Sequence, residues 1–389
     1  MPWKVINPMD AKTEFVLRAM RQDSDFCALC REFGISRKTG YKWKERFLRD
    51  GMLGLSERSR RPESSPNQLD EDQVCQIIRL KQAHPHWGPR KLREVFARRF
   101  SAEMVPSEST FKRVLDKAGL VEHRRQRKSY EAGTRLTQPI VAGRPNHVWT
   151  VDFKGWWYTL DRYRFEPLTI RDDYSRYILS ARALASARTE VVREEFQRVF
   201  EQNGLPEVIR SDNGAPFAAK TSPLGLTRLS AWWLTLGIDL DRIRPGKPQE
   251  NGAHERMHRD MACEVENAAR VDLIKQQASL DVWVRTFNNE RPHESLGKKF
   301  PHEVYRSSTR SFDRRAVQLV YPSHYQVRKI KSSGTVCIRG IDILVSQALA
   351  GYDVGLELIE DVRYTVWFCR LPLGELDVTT GSFRKASGS

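Results

Sequence analysis

The chain has 389 residues, of which 40% are hydrophobic, so it is long enough for roughly two to four domains with cores of their own. Its net charge of +16 favours a polyanionic partner, although a basic protein without such a partner has the same composition. Six scattered cysteines exclude a disulfide framework and suit a reducing compartment. No apolar run approaches the ~18 residues of a membrane span, and the N-terminus lacks a signal-peptide pattern, so we expect a cytosolic protein.

The first segment predicts paired helices. Residues 11–60 carry apolar side chains at helical spacing that is broken at Gly34, and Ser36 is a suitable N-cap for a second helix. Two short helices joined by a glycine turn are typical of a helix-turn-helix unit, and the alternative is a plain helical hairpin. We predict a DNA-binding helix-turn-helix domain over residues 1–56 and a polar linker over 57–69. The side chains expected in the major groove are Arg37, Lys38, Thr39 and Lys42.

One Cys-x-x-Cys pair, Cys27 and Cys30, lies in the first of these helices. No further Cys or His pair follows at the spacing of zinc ligands, so a metal site is disfavoured. Both side chains fit the apolar face of the helix, and we expect both in the core.

Residues 70–122 repeat the helical design without repeating the sequence, and predict a second helix-turn-helix domain. A basic linker follows over residues 123–145. Its charges either lie in solvent, contact DNA phosphates, or do both. We assign DNA contacts to the basic and hydroxyl side chains of these two segments: Arg90, Lys91, Ser109, Lys112, Arg113, Arg124, Arg125, Arg127 and Lys128.

From residue 146 the pattern changes to three strands, then helix, strand, helix, strand and helix. This order is typical of a mixed α/β sheet, and we predict a five-stranded sheet in a core over residues 146–310. Short alternating segments punctuated by glycine follow over residues 311–389 and predict a small β-barrel. The expected fold is therefore multidomain: all-α modules, an α/β core and a β domain.

Three carboxylates stand out within the α/β segment. Asp152 and Asp212 each follow a short apolar run that reads as a strand, and Glu255 lies inside a predicted helix. Carboxylate oxygens are the ligands that Mg²⁺ and Mn²⁺ prefer. Two such ions, about 3.5–4 Å apart, can drive the in-line attack on a phosphodiester. The sequence therefore predicts a two-metal catalytic site made of these three residues.

The sequence motifs around these carboxylates resemble the integrase core of the retroviral integrase superfamily, which has an RNase H-like fold. More narrowly, the chain resembles the transposases of the IS481 group of bacterial insertion sequences, relatives of the IS3 group. The similarity extends over nearly the whole chain and is carried by six segments: 29–43 (LCREFGISRKTGYKW), 86–92 (HWGPRKL), 149–155 (WTVDFKG), 210–217 (RSDNGAPF), 244–258 (RPGKPQENGAHERMH) and 288–293 (NNERPH).

The resemblance implies that Asp152, Asp212 and Glu255 are the catalytic carboxylates and hold Mg²⁺ or Mn²⁺, two ions per site. It implies hydrolysis at the ends of the element, followed by attack of the freed 3′-OH on target DNA. It also implies a homo-oligomer on double-stranded DNA, at least a dimer because two ends must be joined, in the bacterial cytoplasm at the nucleoid. The alternatives are a catalytically inactive DNA-binding regulator and an RNase H-like nuclease that does not join.

Two positions depart from the family pattern. Glu250 stands where family members commonly carry Gln, and Ala262 stands where they often carry a Lys that contacts the DNA end. We expect DNA-end binding to be weaker or to move to Arg256 and Arg259. His258 is expected to face the same groove as Glu255 and to assist DNA positioning or proton transfer. His254 is expected to point aside.

Other acidic and aromatic residues are predicted to have structural roles. Asp172 and Asp173 follow a predicted strand and precede Tyr174, so a turn role is favoured over a metal role. The aromatic pair Trp156 and Trp157 is expected in the core.

Overall fold

A computed structural model describes residues 7–57, 69–121, 140–244, 251–315 and 317–386. The chain divides into two compact units, Met1–Asp70 and Glu71–Ser389. The linker over 57–69 and the basic linker over 123–145 lie largely outside the described residues, as does Glu250.

The first unit is a three-helix module formed by α1 (Pro8–Ala19), α2 (Phe26–Glu32) and α3 (Arg37–Asp50), followed by a 3₁₀ turn (Gly51–Leu55). The Ser36 side chain caps α3 by accepting a hydrogen bond from the Thr39 amide. Gly40 lets α3 approach α2 closely, because a Cβ at this position would lie 2.8 Å from Cys30 Sγ on α2. The pair α2–α3 therefore has the geometry of the predicted helix-turn-helix. Cys30 is buried, but Cys27 is exposed, so the core role expected for Cys27 is wrong.

The second unit begins with another helical module, made of α4 (Glu71–Ala83), α5 (Pro89–Ala97) and α6 (Glu108–Lys117). Its core is apolar and is formed by one stripe from each helix. Ser107 caps α6 by accepting a hydrogen bond from the Thr110 amide. The buried side chains are Ile77, Leu80, Leu92, Val95, Phe96, Phe111 and Leu115.

The central sheet has six strands: β1 (Val148–Phe153), β2 (Trp157–Tyr158), β3 (Arg164–Asp172), β4 (Ile178–Leu184), β5 (Val208–Ser211) and β6 (Asp239–Arg242). Strand β3 pairs antiparallel with β1, β2 and β4, whereas β5 pairs parallel with β1 and β6. The sheet is therefore mixed, as predicted. The prediction of five strands missed β2, a two-residue strand that pairs with the start of β3.

Helices cover both faces of this sheet. On one face, α7 (Thr189–Asn203) and α8 (Arg228–Thr235) pack on Trp149, Val151 and Leu168. On the other face, α9 (Gly252–Glu264) and α10 (Leu273–Asn289) form a second cluster with the sheet. A short helix, α11 (Pro301–Val304), follows. Helix α8 begins at Arg228, because Leu224 has a positive φ of 48° and Thr227 caps the helix.

The last segment is an antiparallel β domain. Its strands are β7 (Gln326–Lys329), β8 (Thr335–Ile338), β9 (Ile341–Leu344), β10 (Asp353–Glu360), β11 (Arg363–Phe368), β12 (Leu371–Asp377) and β13 (Ser382–Lys385). Five of them form an open sheet in the order β13-β12-β11-β10-β7, and β8-β9 form a separate hairpin.

The predicted small β-barrel is therefore not found among the described residues, because the ladder ends at β7 and β13 without closing. Both end strands are short, and β7 is exposed along its length. Among the described helices, none combines the length and the apolar composition that a membrane crossing requires.

Candidate active site

Strand register places Asp152 and Asp212 beside each other. In the parallel pair β1–β5, Thr150 lies opposite Arg210, and each carboxylate follows two residues later along its strand. Neighbouring strands lie about 4.8 Å apart, and residues two positions apart share a face. Asp152 near the end of β1 and Asp212 just after the end of β5 therefore lie at the same edge of the sheet.

The charges of the other two predicted carboxylates act on Asp152. Burial, followed by the negative charge of Asp212, raises the pKa of Asp152 to about 7. Glu255 acts in the same direction, as does Glu166 on β3. The charges of Asp212, Glu255 and Glu166 are therefore close enough to act on the Asp152 carboxyl.

Asp212 has one carboxylate oxygen that no described residue pairs with. Its Oδ1 atom is buried and has no hydrogen-bond partner among the described residues. A Cβ at Gly214 would lie 2.9 Å from Asp212 Oδ2, so only glycine allows the chain to pass this close to the carboxylate. A buried carboxylate oxygen without a donor is costly unless a cation or water occupies the space beside it.

Two histidines fasten helix α9 to the sheet. His254 places Nδ1 2.8 Å from Thr150 Oγ1 and Nε2 2.7 Å from Thr169 Oγ1. His258, one turn later, places Nε2 2.7 Å from the same Thr169 Oγ1. Thr169 lies opposite Asp152 in the β1–β3 pair. The helix that carries Glu255 is therefore hydrogen-bonded to β1, which contains Asp152, and to the neighbouring β3. The expectation that His254 points aside is wrong.

The hydrogen-bond count at Thr169 fixes the tautomers of both rings. Its hydroxyl proton is donated to the Asp152 carbonyl oxygen, 2.9 Å away, so its oxygen accepts from Nε2–H of His254 and of His258. Burial lowers the pKa of His258 to about 3 and that of His254 well below its usual value, so both rings are neutral. Nδ1 of His258 then carries a lone pair, and it lies 3.8 Å from Asp152 Oδ2.

This arrangement fits a divalent cation. Ligand atoms of Asp152, His254 and His258 lie within 4.8 Å of one another. His254 engages both ring nitrogens with threonine hydroxyls, so it serves as a clamp rather than as a ligand. A lone pair of His258 facing a carboxylate oxygen repels it unless a proton or a cation lies nearby. The ligand atoms of this group that remain available are the carboxylate oxygens of Asp152 and Nδ1 of His258. The unpartnered Oδ1 of Asp212 is a further candidate, and Glu255 is exposed.

Sequence reasoning did not find Thr150, Thr169 or the role of His254. The available signal was the i, i+4 spacing of His254 and His258, which places both rings on one face of a helix. What the sequence did not carry was the partner of that face, because Thr169 becomes opposite to Asp152 only through strand register.

The predicted DNA contacts on α9 separate into two groups. Arg256 and Arg259 are exposed. His258 is buried against Thr169, so the structure does not present it to DNA, and its predicted contact is corrected to a role inside the site. Asp260 pairs with Arg291 at 2.5 Å, and Ala262 is half-buried.

In the helical modules, the predicted contacts at the start of α3 are exposed except for Thr39, which is half-buried. Arg90 is held by Glu108 at 2.7 Å and by Glu294 at 3.6 Å. Lys91 is half-buried, and burial followed by the charge of Arg291 lowers its pKa to about 8. Exposed side chains of α6 are Ser109, Lys112 and Arg113, whereas the linker contacts lie outside the described residues: Arg124, Arg125, Arg127 and Lys128.

Asp172 and Asp173 have structural roles. The Asp172 carboxylate accepts hydrogen bonds from the amides of Asn146 and Ser175, and closes the turn after β3. Asp173 pairs with Arg171 and Arg176. The turn role that the sequence favoured matches these contacts.

We expect Thr169→Val to loosen helix α9 without changing side-chain volume. The substitution leaves two buried imidazole N–H groups without an acceptor, and each costs about 1–3 kcal/mol. Hydrogen–deuterium exchange in peptides covering residues 252–264 should therefore accelerate at least about tenfold. Thr235→Val is the matched control, because that buried hydroxyl only bonds the Trp232 carbonyl of its own helix. Equal exchange of α9 in both variants would show that the hydroxyl does not hold the helix.

We expect Asp152→Asn to stabilise the metal-free protein at high pH. The folded-state pKa of about 7 lies above the unfolded value of about 4, so stability from the bound proton is complete below pH ~4 and is lost as pH rises through 7. Asparagine stays neutral at every pH, so the variant avoids the cost of burying a charged carboxylate. Solvent reaches about a quarter of the Asp152 side chain (24%) and reduces that cost, so we expect the free energy of unfolding to rise by about 2 kcal/mol at pH 8.

Urea unfolding in EDTA measures this difference, and the gain should vanish at pH 4. The exposed Asp313 provides the control, since Asp313→Asn should leave stability unchanged at both pH values. An Asp152→Asn variant that is no more stable than the parent at pH 8 contradicts the electrostatic description of the site.

Comparison with known proteins agrees with this architecture. Models of an integrase core domain match residues 142–248 and 236–301, which together include all three carboxylates. A helix-turn-helix domain model matches residues 11–63, and a homeodomain-like domain model matches residues 39–115.

Two bacterial relatives are similar over most of their length. An insertion element IS407 protein of Burkholderia multivorans is 24% identical over 65% of this chain and 87% of its own. An insertion element IS476 protein of Xanthomonas euvesicatoria is 23% identical over 64% of this chain and 68% of its own. Among solved structures, the HTLV-2 integrase catalytic core domain in complex with magnesium is 15% identical, with a TM-score of 0.34, over 43% of this chain and 100% of that domain.

The domain models and the bacterial relatives bear out the resemblance to insertion-sequence proteins with an integrase-like core, while assignment to the IS481 group stays a prediction. The chain thus carries matches to helix-turn-helix domains ahead of an integrase core domain, and it is similar to insertion-element proteins.

Proposed function

We propose that the chain is the transposase of an insertion sequence, which cleaves the 3′ ends of its element and joins them to target DNA. The observation that supports this most strongly is electrostatic: burial and then the charges of Asp212 and Glu255 raise the pKa of Asp152. An acidic cluster on this fold has no role in packing, but it suits cations that act on a phosphodiester.

The metal ligands in this proposal are Asp152, Asp212 and Glu255, with Mg²⁺ or Mn²⁺ as the ions and two ions per site. Support comes from the unpartnered Oδ1 of Asp212 and from the neutral carboxyl that Asp152 prefers in the absence of a cation. When bound, such a pair of ions activates the attacking oxygen and relieves charge on the leaving oxygen.

The surrounding residues position these acids and the DNA. Thr169, His254 and His258 keep α9 on the sheet, so that Glu255 stays beside the strand ends. Arg256 and Arg259 are exposed on the same helix as Glu255, where they can hold phosphates next to the site. This placement is consistent with a shift of the end contact away from Ala262.

DNA binding in this proposal is divided between the two helical modules. The exposed start of α3 reads bases of the element end in the major groove, and α6 supplies a second group of contacts. Because one reaction joins two ends, the active form is at least a dimer on DNA. The net charge of +16 predicts binding that weakens strongly as salt rises.

The test of this proposal is a cleavage assay on a duplex that carries the terminal repeat of the element encoding the chain. We expect nicking that requires Mg²⁺ or Mn²⁺. Removing one metal ligand costs several kcal/mol of transition-state stabilisation, so Asp152→Asn, Asp212→Asn and Glu255→Gln should each lower the rate by about a thousandfold. Joining is scored separately with a pre-cleaved end.

Asp281→Asn, which removes an exposed acid on α10, is the matched control and should keep the parent rate. Nicking that survives in all three carboxylate variants contradicts the proposal. A chain that binds end DNA but never nicks it is a regulator, and a chain that nicks but does not join a pre-cleaved end is a nuclease.

A further inference from the structure

We propose that the hairpin between β1 and β3, residues 154–164, is a stacking platform for unpaired DNA bases next to the scissile bond. This inference rests on the proposed function, because it names a strand of the same DNA as the ligand. Neither helical module contributes to the platform, and none of its aromatic residues belongs to the acidic site.

The two tryptophans of this hairpin have opposite environments. Trp157 is buried and packs edge-on against Phe165 with a centroid separation of 4.7 Å. Trp156 is 53% exposed and Tyr158 is 48% exposed, so the core role expected for Trp156 is wrong. Tryptophan is usually well buried, and a ring as exposed as Trp156 is typical of a surface that binds a partner.

The exposed rings form one surface with a cation. Trp156 and Tyr158 contact each other in a T-shaped arrangement with centroids 5.6 Å apart. Arg164 lies opposite Tyr158 in the β2–β3 pair, and its guanidinium sits 4.7 Å from the centre of the Trp156 ring. Aromatic faces combined with arginine are the groups that proteins use to bind single-stranded nucleic acid without reading its sequence.

The hairpin is held rigidly in this position. Its tip donates two backbone hydrogen bonds to the segment before α10, from Leu160 N to Arg270 O (2.8 Å) and from Asp161 N to Val271 O (3.0 Å). Its base is anchored by the buried Trp157 and by a Lys154–Glu266 ion pair at 3.0 Å. A surface fixed in advance loses little conformational entropy when a base stacks on it.

Location and charge favour DNA over a second copy of the chain. Trp156 follows Asp152 by four residues, so their backbones are at most about 14 Å apart. Residues 154–164 carry Lys154, Arg162 and Arg164 against Asp161, which gives a local excess of positive charge. Another copy would bring the same positive hairpin and the same net charge of +16, which repel. The ligand is unpaired DNA, because bases in a duplex have their faces covered by neighbouring bases.

The test is fluorescence anisotropy of a labelled oligothymidylate with the full chain in EDTA. Loss of one stacked base costs a factor of about five or more, so we expect Trp156→Ala and Tyr158→Ala each to weaken binding by at least that factor. Trp156→Phe keeps a stacking ring and should stay within about twofold of the parent. Binding of a blunt duplex should be unchanged in all three variants.

Tyr174→Ala is the matched control for Tyr158→Ala, since Tyr174 is another exposed tyrosine just beyond the opposite end of β3. Parent-like oligothymidylate binding by both alanine variants overturns the inference, as does an equal loss in Tyr174→Ala or in Trp156→Phe. A change in oligomer mass with unchanged oligothymidylate binding also overturns it and assigns the surface to a second copy. Because the assay contains no metal ion, its outcome is independent of the nicking assay on Asp152→Asn.

Discussion

The hydroxyl of Thr169 is the point on which the arrangement of the site depends. It donates to the Asp152 carbonyl oxygen and accepts from His254 and His258, so a single oxygen connects β1, β3 and α9. Glu255 lies far from Asp152 and Asp212 in sequence, and its helix is attached to the sheet by these bonds. Both imidazoles are neutral and buried, which makes the connection independent of pH over the physiological range.

An acidic site of this kind is electrostatically strained in the absence of a counter-charge. The raised pKa of Asp152 and the unpartnered oxygen of Asp212 are two signs of the same imbalance. The fold accepts the imbalance because the sheet and its helices hold the acids in place through contacts that do not involve the carboxylates. Outside the site the chain is basic, so nucleic acid is attracted to the surface while cations are favoured at the centre.

Local patterns were sufficient to predict most of the core. Apolar runs that end in Asp152 and Asp212 indicated β1 and β5, and alternating residues indicated β3 and β4. Features that depend on pairing were not predictable in this way. The partner of the histidine face depends on strand register, and the opposite burial of Trp156 and Trp157 depends on a two-residue strand.

The β domain shows the same limit. Strand β12 contains Pro372 and Gly374, which weaken a strand pattern, yet it pairs with β11 from Leu371 to Asp377 and with β13 from Gly374 to Asp377. Strand β13 is short and polar and was not predicted. A barrel was expected from the alternating segments, but closure depends on the pairing of the first and last strands, which leaves no trace in their composition.

The central claim is that Asp152, Asp212 and Glu255 surround divalent cations, and anomalous scattering from Mn²⁺ in crystals of the chain bound to end DNA tests it most directly. We predict density for Mn²⁺ within about 2 Å of carboxylate oxygens of Asp152 and Asp212, with a second ion reached by Glu255. Manganese density elsewhere, with these three carboxylates free of metal in the DNA complex, would contradict the account.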